Sequence, residues 1–236
     1  MESSMEIATS DRGLLSHILT RLSEPQDLLS ASMVCTVWND VLTRAAAKKL
    51  TIRSRVRLPS VLSRFKHVKH LNLSMCIDQL QDQDLEMASE SLKNLSILTL
   101  GNPDEPQECI SNLGFVGFVN NCTMLEHVAL TFIPNLQDSG IEAMTRVCNR
   151  LSAINLVNCR NLSDDALKSL KNCENIQELG LKGHFGFTPS GLVKIGENCP
   201  TLLKLSLELE PSVDITLALQ SLATYCRNLQ ELSLKF

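Results

Sequence analysis

Apolar residues recur along most of this chain in one phase: an apolar residue, two others, a second apolar residue, one other, and a third. The pattern is met at Val68-Leu71-Leu73, Leu95-Leu98-Leu100, Leu125-Val128-Leu130 and Leu151-Ile154-Leu156, then at Ile176-Leu179-Leu181, Leu202-Leu205-Leu207 and Leu229-Leu232-Leu234. Successive starts lie 27, 30, 26, 25, 26 and 27 residues apart, so the phase is held six times in a row. A fixed period of this length marks stacked supersecondary units. The last three motif positions alternate apolar, polar, apolar, which predicts a short strand with one face inward. A helical segment follows, as at 164–170, where Ala166, Leu167 and Leu170 share a side and Ser163 or Asp164 is placed to cap the start. No single unit buries its own apolar edge. Neighbours must therefore stack into a curved parallel sheet with helices outside.

The cysteines keep the same phase. Cys122, Cys148, Cys173, Cys199 and Cys226 each stand three positions before a motif, and Cys76 and Cys159 stand three after one. This arrangement resembles cysteine-containing leucine-rich repeats, and a small side chain at a tight buried corner accounts for it. No Cys-x-x-Cys pair occurs, and His127 and His184 are the two histidines within the five-cysteine run. His67, His70 and Cys76 are the nearest approach to a metal cluster, but His70 falls on a strand and the spacing is not that of a ligand set.

Residues 12–50 follow a different rule. Leu14, Leu15, Ile18, Leu19 and Leu22 mark one helix; Pro25 opens a second with Leu28, Leu29, Ser32 and Val34; Val37, Trp38, Val41, Leu42 and Ala45 fit a third. Three short helices make a thin core that needs a partner or the adjoining array. Ile18-Leu19-x-x-Leu22, Asp27-Leu28 and Val34-Cys35-x-x-Trp38 resemble, in order and distance, the anchors of an F-box. The family's opening Leu-Pro falls on Ser10-Asp11, which keeps a helix cap and removes an apolar anchor. Together the two resemblances cover nearly the whole chain, which is similar to an F-box leucine-rich-repeat protein of plant-like type.

The resemblance implies an α/β fold: a flexible start over 1–9, a three-helix F-box unit over 10–50, and a right-handed solenoid of about seven repeats over 51–236, the last of them incomplete. It also implies a non-catalytic role as substrate-recognition subunit of a Skp–cullin–F-box ubiquitin ligase. The F-box would dock on a Skp-type adaptor, and through it on the cullin, by Leu14, Ile18, Leu19, Leu28, Leu29, Val34 and Trp38. Several of these could equally pack the helical core. The repeats would hold the protein substrate for proteasomal degradation. The alternative is a repeat scaffold or inhibitor acting outside a ligase.

Composition agrees with this organisation. Leucine fills 41 of 236 positions and aromatics only 4%, which suits one small side chain stacked many times. The net charge of −4 argues against a general nucleic-acid binder. The first residues carry neither a basic start nor an apolar run, and no span of membrane length occurs. A cytoplasmic or nuclear chain with reduced thiols is expected, with the sequons at Asn72, Asn94, Asn121 and Asn161 read as chance. Charge is uneven: residues 41–77 hold nine Lys or Arg and no acid, against two basic and six acidic groups before them and 11 and 20 after. Such a belt either pairs with the protein's own acids or takes a phosphate-bearing or acidic ligand. Within it, Leu50-Thr51-Ile52 is expected to form an opening strand.

No phosphate loop, dinucleotide fingerprint or zinc helix occurs, so no catalytic, cofactor or metal site is expected. Binding is expected on the concave sheet, where phase turns His70, Asn72, Thr99, His127, Asn155, Glu178, Lys182, Lys204 and Glu208 outward, with loops around Phe132, Phe185 and Phe187 as a second surface. The repeat strand ending at Leu234 has no helix after it, and the chain is read as C-terminally incomplete.

Overall fold

A computed structural model describes residues 12–19, 21–22, 25–42, 48–183 and 186–235. The expectations for Ser10, Asp11, Ala45, His184 and Phe185 lie outside these residues.

Among the described residues three helices come first: α1 (Arg12–Leu19), α2 (Pro25–Ser32) and α3 (Thr36–Val41). Strand β1 (Lys49–Thr51) follows, then a 3-10 turn at Arg55–Arg57 and helix α4 (Leu58–Arg64). From there strand and helix alternate. The strands are β2 (His70–Asn72), β3 (Ile97–Leu100), β4 (His127–Thr131), β5 (Ala153–Val157), β6 (Glu178–Lys182), β7 (Lys204–Glu208) and β8 (Glu231–Lys235). The intervening helices are α5 (Asp82–Ser91), α6 (Asn112–Asn121), α7 (Asp138–Val147), α8 (Asp164–Ser169, running into a 3-10 turn), α9 (Pro189–Asn198) and α10 (Thr216–Tyr225).

All eight strands pair in parallel and in sequence order in one sheet. The register aligns equal motif positions: Leu71 faces Leu98, Leu98 faces Val128, and so on to Leu205 facing Leu232. The fold is a leucine-rich-repeat solenoid of the α/β class. Lys49–Thr51 supplies the opening strand expected around Leu50, pairing with β2. Between sheet and helices runs one continuous core, in which motif leucines from Leu71 to Leu207 are at most 3% exposed. Each fully buried leucine contributes roughly 1.5–3 kcal/mol relative to exposure, so the repeated motif is itself the main source of stability.

A second, polar device locks helix to helix. Asp82, the first residue of α5, accepts the backbone N–H and hydroxyl of Ser111, which precedes α6, at 2.8 and 2.5 Å. The same pair recurs as Asp138 with Ser163 (2.8 and 2.6 Å) and Asp164 with Thr188 (2.8 and 2.5 Å), while Asn112 accepts the Gln137 N–H at 3.0 Å. Ser111, Ser163 and Thr188 also cap their own helices. Each repeat thus caps the next, and Pro189 ends the series because it offers no acceptor. The expected cap role for Asp164 is corrected in this respect: Ser163 caps α8, and Asp164 serves the following repeat.

Candidate functional site

On the sheet face away from the helices, side chains between the motif leucines form three rows. The middle row is small throughout: Asn72, Thr99, Ala129, Asn155, Gly180, Ser206 and Ser233 align by register. A groove of about 470 Å³ runs along it from Ile97 and Thr99 to Glu231 and Ser233. Over β3–β5 its walls carry no Lys, Arg, Asp or Glu, with Ile97, Ala153, Ala129 and the exposed His127.

Over β6–β8 the two outer rows alternate in sign. Glu178, Lys204 and Glu231 face one another on one side, and Lys182, Glu208 and Lys235 on the other. Lys204 lies 3.9 Å from Glu178 and 3.4 Å from Glu231, and Lys235 lies 3.1 Å from Glu208. Exposed pairs of this kind stabilise by about 0–1 kcal/mol each, so they order the surface more than they hold the fold. Because they neutralise one another, this half of the groove does not attract a ligand of single sign.

At the other end His70 is half-buried and its Nε2 has no hydrogen-bond partner. Burial, then the positive charge of Lys49 and the neighbouring His127, hold its pKa below 6.5. His70, Asn72, Thr99, His127, Asn155, Glu178, Lys182, Lys204 and Glu208 all stand on this one face, at positions that alternate with buried ones. Phe187, expected on a binding loop, is 7% exposed and its ring is packed in the core, so it is not available as a surface contact. Phe132 is half-buried at φ 53°, with Arg160 stacked 5.6 Å above its ring.

The helical unit divides its expected contacts in two. Leu19 and Leu28 are at most 1% exposed and pack with Leu15, Val41 and Leu42, so the expectation that they are surface contacts is corrected: with a 3.6-residue period only half of a run such as Leu14-Leu15…Ile18-Leu19 faces outward. Leu14, Ile18 and Val34 are exposed by 51, 51 and 53%. Met33, which helical spacing alone does not single out, joins them at 67%. Leu29 and Trp38 are half-buried against the core. Arg64 of α4 donates to the Ser32 hydroxyl at 2.6 Å, tying the unit to the array.

The thiols are placed for packing. Seven of the nine are buried. Burial pushes the pKa of Cys122, Cys148 and Cys199 up to about 12 and that of Cys159 and Cys173 up to about 11. Cys122, Cys148, Cys173 and Cys226 donate to carbonyls of the preceding repeat, as from Cys148 to Cys122 and from Cys226 to Cys199. A thiol so held is neither nucleophile nor metal ligand. Among the described residues no group of three or more His, Cys, Asp or Glu is placed to hold a metal ion, and no helix is long and apolar enough to cross a membrane.

No protein-family model matches the sequence. The structure is similar to that of the leucine-rich-repeat-containing protein LegL7 from Legionella pneumophila, with 13% identity, 93% of this chain and 77% of that chain covered, and a TM-score of 0.47. It is also similar to a chain of the Rad7 and Elc1 complex in yeast, with 15% identity, 97% and 81% covered, and a TM-score of 0.35.

Proposed function

We propose that this chain is the substrate-recognition subunit of a Skp–cullin–F-box ubiquitin ligase, acting in cytoplasm or nucleus without chemistry of its own. Residues 10–50 form the adaptor-binding unit and 51–236 the substrate-binding array. The observation that carries the reading is the exposed apolar set Leu14, Ile18, Met33 and Val34 on a helical unit whose own core of Leu15, Leu19, Leu28, Val41 and Leu42 is already filled. Apolar side chains left outside a filled core suit a protein partner, and the resemblance of this segment to an F-box gives that partner's class. The concave residues from His70 to Glu208 suit a protein substrate, since the groove is long, mixed in polarity and without a reactive group.

Co-purification with a Skp-type adaptor tests the first half. Ile18→Asp and Val34→Asp place charge on exposed positions, so the unit stays folded by circular dichroism while capture of the adaptor is lost. Retention of the adaptor by the double variant, or no capture by the unaltered protein, refutes the assignment and leaves a repeat scaffold acting outside a ligase.

A further inference from the structure

The basic belt seen in the sequence does not act as one surface. Arg55 is absorbed by the protein's own groups: it lies 2.6 Å from Asp84 and donates to Gln81 at 2.7 Å. Lys48 and Lys69 are different. Backbone hydrogen bonds place them on neighbouring rungs, since the Lys48 carbonyl accepts from Lys69 and His70, and the Lys69 carbonyl accepts from Ser96 and Ile97. Ser96 is followed in the same way by Glu126. Behind this row, each one position ahead of a motif, stand His67, Asn94, Met124 and Arg150. The two rows line a groove of about 870 Å³ at the entry edge of the sheet, apart from the concave groove. Lys48, Lys69 and Arg150 are exposed, and among the described residues no carboxylate lies within ion-pair distance of any of them.

We infer that this edge groove binds an acidic segment of a protein partner in extended form. Lys48 and Arg150 stand on the first and fifth rungs, and four steps at about 4.8 Å span roughly 19 Å, the length of an extended peptide of about six residues. Cations sit at the two ends, Lys48 with Lys69 at one and Arg150 at the other. Between them Asn94 and Ser96 offer neutral hydrogen-bonding groups, and Met124 an apolar floor. Glu126, in the middle, selects against a polymer charged at every unit, as does the chain's net charge of −4. The matching ligand carries carboxylates at both ends and uncharged residues in the centre. The inference assumes a protein partner, as the proposed function does, and does not depend on the adaptor.

Fluorescence anisotropy of the full chain with the labelled peptide Glu-Glu-Ala-Ala-Glu-Glu tests this; the palindrome removes any dependence on direction. Binding is expected at least about tenfold tighter than to Gln-Gln-Ala-Ala-Gln-Gln, and weaker as salt rises from about 50 to 300 mM. Lys48→Gln with Lys69→Gln should remove most of that preference, and Arg150→Gln part of it, whereas Lys171→Gln on the outer side leaves it intact. All four positions are exposed, and circular dichroism verifies the fold. Equal affinity for the two peptides, equal effects of the groove and control variants, or tighter binding of a thymidine hexanucleotide than of the acidic peptide would overturn the inference. Adaptor capture is scored separately, so loss of that reading leaves this result standing.

Discussion

Single positions in this protein are constrained by what the neighbouring repeat puts against them. Gly191 lies so close to Asp164 that a Cβ there would overlap the carboxylate serving Thr188. Gly191→Ala should therefore cost about 1–3 kcal/mol by overpacking. Asp164→Ala, which strands the Thr188 N–H, should cost about 1 kcal/mol at this partly exposed site. Because the two act on one contact, urea unfolding of the double variant should give less than the sum of the single losses; full additivity would show that glycine is there for another reason. The turn leaving each strand adds a second constraint. Phe132, Asn158 and Gly183 each stand two positions after the last motif leucine, with φ of 53, 52 and 99°, and Gly101 stands one after it with φ 94°. Phe132 is the costly one, because a large side chain rarely adopts that region. The thiols make a third test. Their folded pKa values lie above the ordinary 9.0, so they favour folding fully below pH 9, and that contribution is lost as pH rises through the folded values of about 11–12. The urea midpoint should fall once the unfolded chain's thiols begin to ionise, while a disulfide reagent at neutral pH should label Cys109 fast and the seven buried thiols only after unfolding. Rapid labelling of more than Cys109 and Cys35 would contradict this packing.

At the scale of elements, the difference between legible and illegible features follows from range. Strand positions, the inward leucines and the cysteine corners were all readable, because each obeys a period fixed by backbone geometry within one unit. Which half of the α1 face points outward was not. Leu14 and Leu15 satisfy the same periodic pattern, and only the placement of α2 and α3 decides that Leu15 is inside. The interlocking caps were half-legible: a Ser or Gln followed by Asp or Asn recurs at 81–82, 111–112, 137–138 and 163–164, yet the sequence does not say that the second residue serves the next repeat. The edge groove was hidden more deeply, since Arg150 joins Lys48 and Lys69 across about a hundred residues of chain. The charged rows on β6–β8 illustrate how element-level charge acts. Lys204 sits between Glu178 and Glu231, so Lys204→Glu sets three carboxylates side by side. Like charges opposed across strands are destabilising. Stability should drop by up to about 1 kcal/mol at low salt and recover in about 0.5 M salt. A loss unaffected by salt would mean that the lysine stem, rather than its charge, supports the sheet.

For the molecule as a whole, the question is whether the helical unit and the array unfold together. Repeat arrays behave as chains of nearest-neighbour contacts, and a long one can lose cooperativity. Here the buried side chains from Leu15 to Cys226 form a single connected cluster, with Trp38 packed against it in α3. The junction carries β1 and the hydrogen bond from Arg64 to Ser32, and Leu58, Val61 and Leu62 of α4, none more than 1% exposed, belong to the same cluster. Trp38 is the sole tryptophan, so its fluorescence reports on the helical unit, while far-ultraviolet dichroism reports mainly on the repeats. The two probes should trace one urea transition in the unaltered chain. Leu62→Ala opens a cavity under α4, the helix that holds Arg64 against Ser32, and should cost about 2–5 kcal/mol. If that contact is what couples the units, the fluorescence transition of the variant moves to lower urea ahead of the dichroism transition. Two separate transitions in the unaltered chain would instead show a helical unit that rests on the array without sharing its stability. Its exposed Leu14, Ile18 and Val34 would then be free to reorient when a partner binds, rather than being held ready by the solenoid.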